Sequence, residues 1–336
     1  MDQLQMGLIG GGNMGKSLAR GVAACEDGRI AAIADPADGV AEAAAEEIGE
    51  GEVDTYTSVG EMLEREDIPA VIVAVPNFLH AEMTRRAAEA GRHVFCEKPM
   101  ALNVADARAM IDACESANVK LMIGQVLRYL PPHVWVLDLI RSGDLGEPFG
   151  MQVSRIGGGW GKTYRSPWRL EKETCGGPLF EVSAHEIDLM RQVLGEAKTV
   201  YASMDNYVTP ECDYEDFVHV VINFQAGGRG ALLAGHAAKL GAYDGKIFLT
   251  GGTIMFSHQQ REVRWVAEGD EPQTTTYEEA AEGYEPGVQR EIREFMEAVL
   301  DDAEVTIPGR EGLRNTEIAQ AAGISAASNR VVELPL

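Results

Sequence analysis

The sequence contains no long apolar run, and this absence excludes one broad class of protein. No uninterrupted apolar stretch reaches the roughly 18 residues that a membrane-spanning helix needs. The chain also enters a structural motif almost at once, without the basic leader and cleavage site of a secreted protein. We therefore expect a cytoplasmic protein that does not span a membrane.

Cysteine is scarce as well, and the few that occur show no functional spacing. The five cysteines form no Cys-x-x-Cys pair and no metal-ligand pattern. They are Cys25, Cys96, Cys114, Cys175 and Cys212. An odd number without such spacing indicates reduced, mostly buried thiols. We expect neither a disulfide framework nor a metal site.

Basic residues are the third shortage. The chain has 29 Lys and Arg against 53 Asp and Glu, which gives a formal net charge of −24. Such a surface repels nucleic acid and anionic membranes, so neither is expected as a partner. The acidity also suggests the hypothesis of a salt-rich habitat.

What the sequence does contain is a regular alternation of apolar runs and helical patterns over about its first 120 residues. The six predicted strands begin at Met6, Arg29, Asp54, Ala70, His93 and Lys120. Strands and helices that alternate in this way form an open, mostly parallel α/β sheet covered on both faces. The 336 residues are long enough for a second domain.

The pattern changes after Gly124. The segment 217–224 alternates apolar and polar residues with period two, and similar runs occur near 229–236, 246–250 and 261–266. This pattern predicts a large, mostly antiparallel open sheet. We expect a first domain with the parallel sheet over 1–124 and a second α/β domain over 125–336. Its last helices are expected to pack back on the first domain.

A glycine motif lies between the first predicted strand and the first predicted helix. Gly10, Gly12 and Gly15 form G-x-G-x-x-G. The first glycine permits a tight turn, the second lets a pyrophosphate approach the backbone, and the third lets the helix pack on the sheet. The helix N-terminus attracts the phosphates. We predict a bound dinucleotide that is also contacted by Asn13 and Met14; a plain turn is the alternative.

Asp35 ends the second predicted strand, 20 residues after Gly15. At this distance a carboxylate binds the adenosine ribose hydroxyls. It also repels a 2′-phosphate, and no arginine follows it directly, so NAD is favoured over NADP. The alternative role is a helix N-cap before Pro36, which is compatible with the first.

Pro76 and Asn77 follow the fourth predicted strand. Ligands bind at the carboxyl edge of such sheets, so we predict that both residues contact the cofactor. His80, a few residues on, is included as a candidate cofactor contact. A plain loop, with His80 on a helix face, is the alternative.

Glu97-Lys98-Pro99 ends the apolar run 93–96. A lysine at the end of a buried strand is a candidate for polarising a substrate oxygen, and Glu97 is expected beside the cofactor. The alternative is a surface lysine that pairs with Glu97.

A second polar cluster begins at Gly176-Gly177-Pro178. Glu181, His185 and Asp188 follow at i, i+4 and i+7, so one continuous helix would present all three on one face. Histidine is suited to accept an alcohol proton near neutral pH, and a carboxylate can orient it. A solvated polar helix face is the alternative.

Together these motifs resemble the Gfo/Idh/MocA family of oxidoreductases. The resemblance rests on the glycine turn with Asp35, on Cys96-Glu97-Lys98-Pro99 and on the pattern from Gly176 to Asp188. Weaker similarities are Arg128 with Pro131, Gly143 to Gly146, and Pro167-Trp168-Arg169. Two positions depart from the family pattern: Glu181 replaces the usual aspartate and Pro178 replaces a usual third glycine.

The resemblance implies specific roles. Lys98 would contact the reacting hydroxyl, His185 would act as general base, and the Lys98–Pro99 bond would be cis. Glu181 has one methylene more than aspartate, which displaces its carboxylate and changes its contact with the substrate or with His185. The resemblance also implies that residues 1–124 form a Rossmann dinucleotide-binding domain and that residues 125–336 form a substrate-binding and oligomerisation domain. The exposed face of its sheet would mediate a homodimer or homotetramer.

The implied activity is NAD-dependent hydride transfer from a secondary hydroxyl of a sugar, an inositol or other polyol, or a glycoside. Predicted substrate contacts beside Lys98, Glu181 and His185 are Arg128, Tyr164, Trp168, Arg169 and Asp188. An aromatic ring among polar groups suits a carbohydrate. One alternative is an NAD-dependent glycoside hydrolase that oxidises its substrate transiently and then eliminates. The other is a non-catalytic NAD-binding regulator.

Overall fold

The computed structural model describes residues 3–49, 52–158 and 166–336, which divide into two compact units. The first unit comprises Met1–Tyr129 and Glu285–Leu313. The second comprises Leu130–Tyr284 and Arg314–Leu336. Each unit thus contains two separate pieces of chain. The domain limits expected from the sequence, 1–124 and 125–336, stay a prediction about folding domains.

The first part of the chain alternates strands and helices. In order these are β1 (Leu4–Ile9), α1 (Asn13–Ala23), β2 (Gly28–Ala34), α2 (Val40–Ile48), β3 (Asp54–Tyr56), α3 (Val59–Leu63), β4 (Ala70–Val73), α4 (His80–Glu89), β5 (His93–Cys96), α5 (Val104–Ser116) and β6 (Leu121–Ile123). Short 3-10 helices cover Asn77–Leu79 and Val126–Tyr129.

The remainder of the chain is richer in strands. Its elements are α6 (Pro131–Arg141), β7 (Pro148–Ile156), α7 (Lys172–Cys175), α8 (Pro178–Glu181), α9 (Ala184–Leu194), β8 (Ala197–Asp205), β9 (Phe217–Phe224), β10 (Arg229–Gly235), β11 (Ala242–Leu249), β12 (Gly252–Ser257), β13 (Glu262–Ala267), β14 (Gln273–Thr276), α10 (Tyr277–Ala280), α11 (Gly287–Leu300), α12 (Gly309–Ser328) and β15 (Val332–Glu333). A further 3-10 helix covers Pro167–Leu170.

The first unit is built on a parallel six-stranded sheet. Its strand order is β3-β2-β1-β4-β5-β6, and every pair is parallel. The order reverses beside β1, so the carboxyl ends of β1 and β4 define the crevice where ligands bind in such sheets. The predicted Rossmann architecture is confirmed.

The core of this unit explains why its strands read as continuous apolar runs. All four residues of β4 are buried, because helices cover both faces of the sheet. Helix α11 completes the cover, with the ring of Phe295 edge-on to that of Phe95 at 5.8 Å. Gly21 lets α1 approach α11 closely, since a Cβ there would lie 3.2 Å from Val288.

The second unit is built on a nine-stranded sheet. Its order is β14-β13-β12-β11-β7-β10-β9-β8-β15, and among these pairs only β7 and β10 run parallel. One face is buried under α9, which packs on β7 and β10. The predicted mostly antiparallel sheet, and with it the α/β fold class, is confirmed.

Two details of the sequence prediction are wrong. The single helix expected from Leu179 to Leu194 is two helices, α8 and α9, interrupted at Val182 and Ser183. Both of these amide groups donate to the carbonyl oxygen of Pro178, which closes the first helix after one turn. Strands β8, β12, β14 and β15 were not predicted. Among the described residues, no helix is both long enough and apolar enough to cross a membrane.

Candidate active site

The glycine turn between β1 and α1 has the geometry of a phosphate-binding loop. Gly10 has φ +101°, and a Cβ on it would lie 2.6 Å from the carbonyl oxygen of Ala74. A Cβ on Gly15 would collide with the carbonyl oxygen of Gly10. A Cβ on Gly12, in contrast, would meet no protein atom within 4 Å. Two glycines therefore serve the fold, while the third leaves room for a ligand.

The N-terminus of α1 points to the same ligand. Gly12 is the N-cap and has no side chain to cap the free amides, and Asn13 and Met14 in the first turn are exposed. Unpaired amides at a helix N-terminus attract phosphate. The open space at Gly12 and these amides fit a dinucleotide pyrophosphate.

Asp35 lies at the carboxyl end of β2 and is fixed by two backbone hydrogen bonds. Its Oδ2 accepts from the amide of Gly11 at 2.9 Å, and its Oδ1 accepts from the amide of Ala37 at 3.0 Å. Gly39, not Asp35, is the N-cap of α2, so the alternative N-cap role is wrong. The carboxylate is thus held against the glycine turn, where a ribose is expected.

The loop after β4 carries Pro76, Asn77 and His80. Asn77 and His80 are buried, with 4% and 1% of their surface exposed. The two ring nitrogens of His80 lie 2.7 Å from the carbonyl oxygen of Pro99 and 2.9 Å from that of Val75. His80 therefore connects the loop after β4 to the loop after β5. The predicted cofactor contacts of these three residues stay predictions.

Lys98 follows β5, and its backbone is held in place. The Lys98–Pro99 bond is cis, as the resemblance implied. The Oε2 atom of Glu97 accepts from the amide of Lys98 at 2.9 Å, and Glu97 is only 7% exposed. Lys98 itself is partly buried. This differs from the alternative of two surface side chains that pair with each other, because the carboxylate binds the backbone.

Glu291, on α11, is a buried carboxyl that the sequence analysis missed. Its Oε1 accepts from the amide of Gln125 at 2.5 Å, and its Oε2 has no hydrogen-bond partner among the described residues. Burial, and then the nearby Glu97, raise the pKa of Glu291 well above its ordinary value. The available signal was an acid on the apolar stripe of α11, beside Ile292 and Phe295.

Arg128 was predicted to contact the substrate. In the first unit its Nη2 donates to Oε2 of Glu311 at 2.9 Å, and both side chains are mostly buried. The contact gives the guanidinium a fixed position beside the loop that follows β6. Its role toward a substrate stays a prediction.

In the second unit, the segment 167–181 brings three predicted residues together. Arg169 donates from Nε to Oε1 of Glu181 at 2.8 Å, and Glu181 is 7% exposed. The guanidinium carbon of Arg169 lies 4.1 Å from the ring centroid of Trp168. A charged pair stacked on an indole can offer a sugar both a flat surface and hydrogen bonds. Tyr164 lies outside the described residues.

His185 lies in the first turn of α9 and is 7% exposed. Because α8 ends at Glu181, the expected single helical face of Glu181, His185 and Asp188 is wrong. Asp188 is 1% exposed and accepts from Asn315 at 2.9 Å and from Gln192 at 3.0 Å. The bond from Asn315 connects α9 to α12, whereas the bond from Gln192 lies within α9. A direct substrate contact of Asp188 stays a prediction.

The loop between β8 and β9 supports this segment, and no local sequence pattern predicted that contact. The hydroxyl of Tyr214 donates to the carbonyl oxygen of Arg169 at 2.8 Å. The amide of Lys172 donates to Asp213 at 2.5 Å. Asp216 in turn accepts three backbone amides of the loop, those of residues 207–209. The loop thus fixes the backbone that carries Trp168 and Arg169.

The two groups of predicted residues belong to different units. Lys98 and the glycine turn lie in the first unit, whereas Glu181 and His185 lie in the second. Among the residues that the structure describes, no group of three or more His, Cys, Asp or Glu side chains could hold a metal ion.

Comparison with known proteins gives a consistent result. Residues 4–125 match the GFO/IDH/MocA oxidoreductase family with its NAD-binding Rossmann fold, and residues 133–255 match the GFO/IDH/MocA C-terminal domain. Inositol 2-dehydrogenase of Rhizobium meliloti (strain 1021) is 29% identical over 342 residues, with 98% of this chain and 99% of the relative covered.

Two further matches carry different names. A levoglucosan dehydrogenase structure in complex with NADH and levoglucosan has a TM-score of 0.88 at 26% identity, with both chains fully covered. The 2,7-anhydro-N-acetylneuraminate hydratase of Escherichia coli (strain K12) is 34% identical over 194 residues, covering 57% of this chain and 50% of the relative.

Proposed function

The chain belongs to the Gfo/Idh/MocA family of NAD-binding oxidoreductases, and from this membership we propose an NAD-dependent dehydrogenase that oxidises a secondary hydroxyl of a sugar, inositol or other polyol, or glycoside. The observation that carries the proposal is the placement of Lys98. It follows a central strand of the dinucleotide-binding sheet, with its backbone fixed by Glu97 and a cis bond to Pro99. Relatives named inositol 2-dehydrogenase and levoglucosan dehydrogenase support the class of substrate.

The proposed cofactor contacts follow from the first unit. The amides of the glycine turn would hold the pyrophosphate, and Asp35 would accept hydrogen bonds from the adenosine ribose. Pro76, Asn77, His80 and Glu97 would complete the site. The negative charge of Asp35 opposes a 2′-phosphate, which supports NAD over NADP. Bound NAD supplies the chemistry of accepting a hydride from carbon.

The proposed roles of the protein side chains concern a single proton and a single oxygen. His185 takes the hydroxyl proton of the alcohol on a ring nitrogen as the C–O bond becomes a carbonyl. The ammonium group of Lys98 donates a hydrogen bond to the same oxygen and stabilises its developing negative charge. The carbinol carbon loses its hydrogen as hydride, so the two electrons leave with that hydrogen.

The proposed substrate contacts include an aromatic ring beside charged side chains. In the second unit, the pair of Arg169 and Glu181 on the ring of Trp168 supports recognition of a carbohydrate. We propose that Arg128, Asp188 and Tyr164 also contact it. Glu181 is one methylene longer than the aspartate usual in the family, and the structure pairs it with Arg169. This pairing would make the choice of substrate differ from that of aspartate-containing relatives.

The experiment is a screen of sugars, inositols and glycosides for NADH absorbance, with NADP in parallel. On the best compound, His185→Ala and Lys98→Ala are each expected to lower kcat by about 10²- to 10⁴-fold. Wild-type turnover in both variants would refute the assignment of these roles. Absence of NADH formation on every compound, together with tight NAD binding, would instead support the non-catalytic regulator.

A second candidate activity is elimination or hydration after transient oxidation, as in the NAD-dependent glycoside hydrolase. The observation that favours it is the relative named 2,7-anhydro-N-acetylneuraminate hydratase, although it matches only 57% of this chain. The two activities differ in redox balance. A dehydrogenase accumulates NADH, whereas the second activity changes the substrate without net NADH.

We also propose a homodimer or homotetramer and a cytoplasmic location. On the open face of the second sheet, neighbouring strands present a row of directly opposite residues. This row includes Tyr201, Val221 and Met255, whose exposed fractions are 38%, 46% and 45%. Partly apolar faces of this kind support association. All five cysteines lie in the described part of the chain, none of them forms a disulfide and all are buried, which supports a reducing compartment. Light scattering of the purified protein tests the oligomer.

A further inference from the structure

A partly buried stack of charged and aromatic side chains lies in the second unit, outside the residues predicted from the sequence. Arg155 donates from Nη1 to Oε1 of Glu186 at 2.7 Å. Its guanidinium carbon lies 4.7 Å from the ring centroid of Tyr243. The ring of Tyr243 is parallel to that of His258, with centroids 3.7 Å apart and planes 2° apart. We call these four residues the Arg155 stack.

The Arg155 stack joins four elements to one another. Glu186 is in the first turn of α9, immediately after His185, and Arg155 is on β7. Tyr243 on β11 is the register partner of Arg155, and His258 follows β12. The stack therefore connects the helix that carries the proposed base to the centre of the sheet.

Helix α9 lacks the usual means of fixing its first turn. Ser183 is its N-cap but makes no side-chain capping bond, and its buried hydroxyl has no hydrogen-bond partner among the described residues. The chain just before it leaves α8 without continuing the helix. Without a cap, the position of the first turn depends on side-chain contacts further along α9.

The charges of the Arg155 stack restrict the orientation of α9 on the sheet. Glu186 has no exposed surface, and its side chain is paired with an arginine that is 28% exposed. Because a buried carboxylate without a partner is costly, α9 cannot rotate away from β7 without leaving Glu186 unpaired. Burial, and then the nearby Glu186, raise the pKa of Tyr243, while burial and Arg155 lower that of His258 to about 4. Both rings are thus neutral near pH 7; the ring of Tyr243 stacks on the guanidinium, and that of His258 stacks on Tyr243.

We propose that the pair of Arg155 and Glu186 is a positioning device that fixes the first turn of α9, and with it His185, for proton transfer. This inference rests on the proposed function, because it assigns His185 as the base. Neither side chain is proposed to touch the substrate. The pair instead determines the position of His185, because a contact that fixes the neighbouring residue Glu186 also fixes the helical turn that carries both residues.

The central variant removes both charges at once, as Arg155→Met with Glu186→Leu. Each single substitution leaves one charge without its partner and is expected to lower the melting temperature, whereas the double variant is expected to recover most of that loss. On the panel compound with the highest rate, kcat of the double variant is expected to fall about 10- to 100-fold, with KM for NAD unchanged. Arg155→Lys keeps the charge without the planar fork and is expected to lie between.

A matched control and a structural readout separate positioning from general damage. Arg141 and Asp138 form an exposed pair at 3.0 Å in the same unit, with side chains 66% and 50% exposed. Arg141→Met with Asp138→Leu is expected to leave kcat unchanged. Hydrogen exchange measured on peptides from 184–194, without any substrate, is expected to be faster only in the double variant of the stack.

The outcomes are separable. A double variant with wild-type kcat, or with wild-type exchange over 184–194, overturns the positioning role. An equal loss of kcat in the control pair also overturns it, because the effect would then be unspecific. Wild-type turnover in His185→Ala overturns the proposed function itself, whatever the stack variants show.

Discussion

Asp35 accepts two backbone hydrogen bonds, so its carboxylate is oriented by the protein before any ligand binds. Because the bond from Gly11 connects it to the glycine turn, the same side chain serves the fold and, in the proposed function, would also bind the cofactor. A substitution that tests cofactor choice must therefore keep the accepted hydrogen bonds and change only the charge.

Asp35→Asn meets this requirement in part: it removes the charge, and its single amide oxygen can still accept from the amide of Gly11, but its NH2 group cannot accept from the amide of Ala37. We expect affinity for NAD to fall roughly 10- to 100-fold, because a charge-assisted bond to the ribose is lost. Affinity for NADP should rise, because the repulsion of the 2′-phosphate is removed. Titration of intrinsic fluorescence with each dinucleotide measures both constants. An unchanged ratio of the two would contradict the proposed ribose contact.

Glu291 is a second residue whose effect can be tested. A buried carboxyl with a raised pKa lowers the free energy of unfolding by an amount that depends on pH. In the unfolded chain the group ionises near its ordinary pKa, about 4.3. In the folded protein it keeps its proton to a higher pH. Between these two values the folded state binds more protons than the unfolded state, so stability falls as pH rises.

Glu291→Gln removes the titration and keeps an oxygen that can accept from the amide of Gln125. Relative to wild type, the variant should gain about 1.4 kcal/mol of unfolding free energy for each pH unit above the ordinary value, up to the folded pKa. Urea unfolding between pH 4 and pH 8 measures the difference, and pH 4 serves as the internal control. A difference that is the same at every pH would show that Glu291 is ionised in the folded protein.

At the scale of an element, the three glycines of the turn serve two different purposes, which are close backbone packing and room for a ligand. Gly10 and Gly15 are required by nearby backbone atoms, whereas Gly12 faces open space. Gly12→Ala should therefore leave the melting temperature nearly unchanged and weaken NAD binding. Gly10→Ala should lower the melting temperature, because it adds a Cβ against Ala74 at a left-handed φ. Equal effects of both variants on stability would contradict this division.

Elements with a strong local pattern were predictable from the sequence. The limits of β5 and β9 agree with the expected ones, because a continuous apolar run marks the first and apolar alternation marks the second. The break between α8 and α9 was not predictable, because Val182 and Ser183 fit a helical pattern. Only the hydrogen bonds that both amides make to Pro178 close the first helix.

The same limit applies to the site. Gly10, Asp35 and Lys98 could be found because each lies at a fixed distance from a strand end within one βαβ unit. The bond of Arg169 to Glu181 and that of Arg155 to Glu186 join residues 12 and 31 positions apart. Such pairs depend on how segments fold against each other, and no local pattern records them.

At the scale of the whole molecule, the net charge of −24 is a source of self-repulsion. Like charges spread over a folded surface destabilise the compact state, and salt screens them over a Debye length of about 10 Å at 0.1 M and about 3 Å at 1 M. Exposed ion pairs such as Arg261 with Glu278 are also screened, but each contributes little. The repulsion should therefore dominate the response to salt.

We expect the melting temperature at pH 8 to rise between 0.1 M and 1 M sodium chloride. The control is the same comparison near the isoelectric point of about 4.6, where the net charge vanishes and the rise should largely disappear. A rise of equal size at both pH values would reflect a general effect of salt on hydrophobic burial. Identical midpoints in dilute and molar salt at pH 8 would refute the hypothesis of a salt-rich habitat, because the acidic surface would then carry no cost that salt relieves.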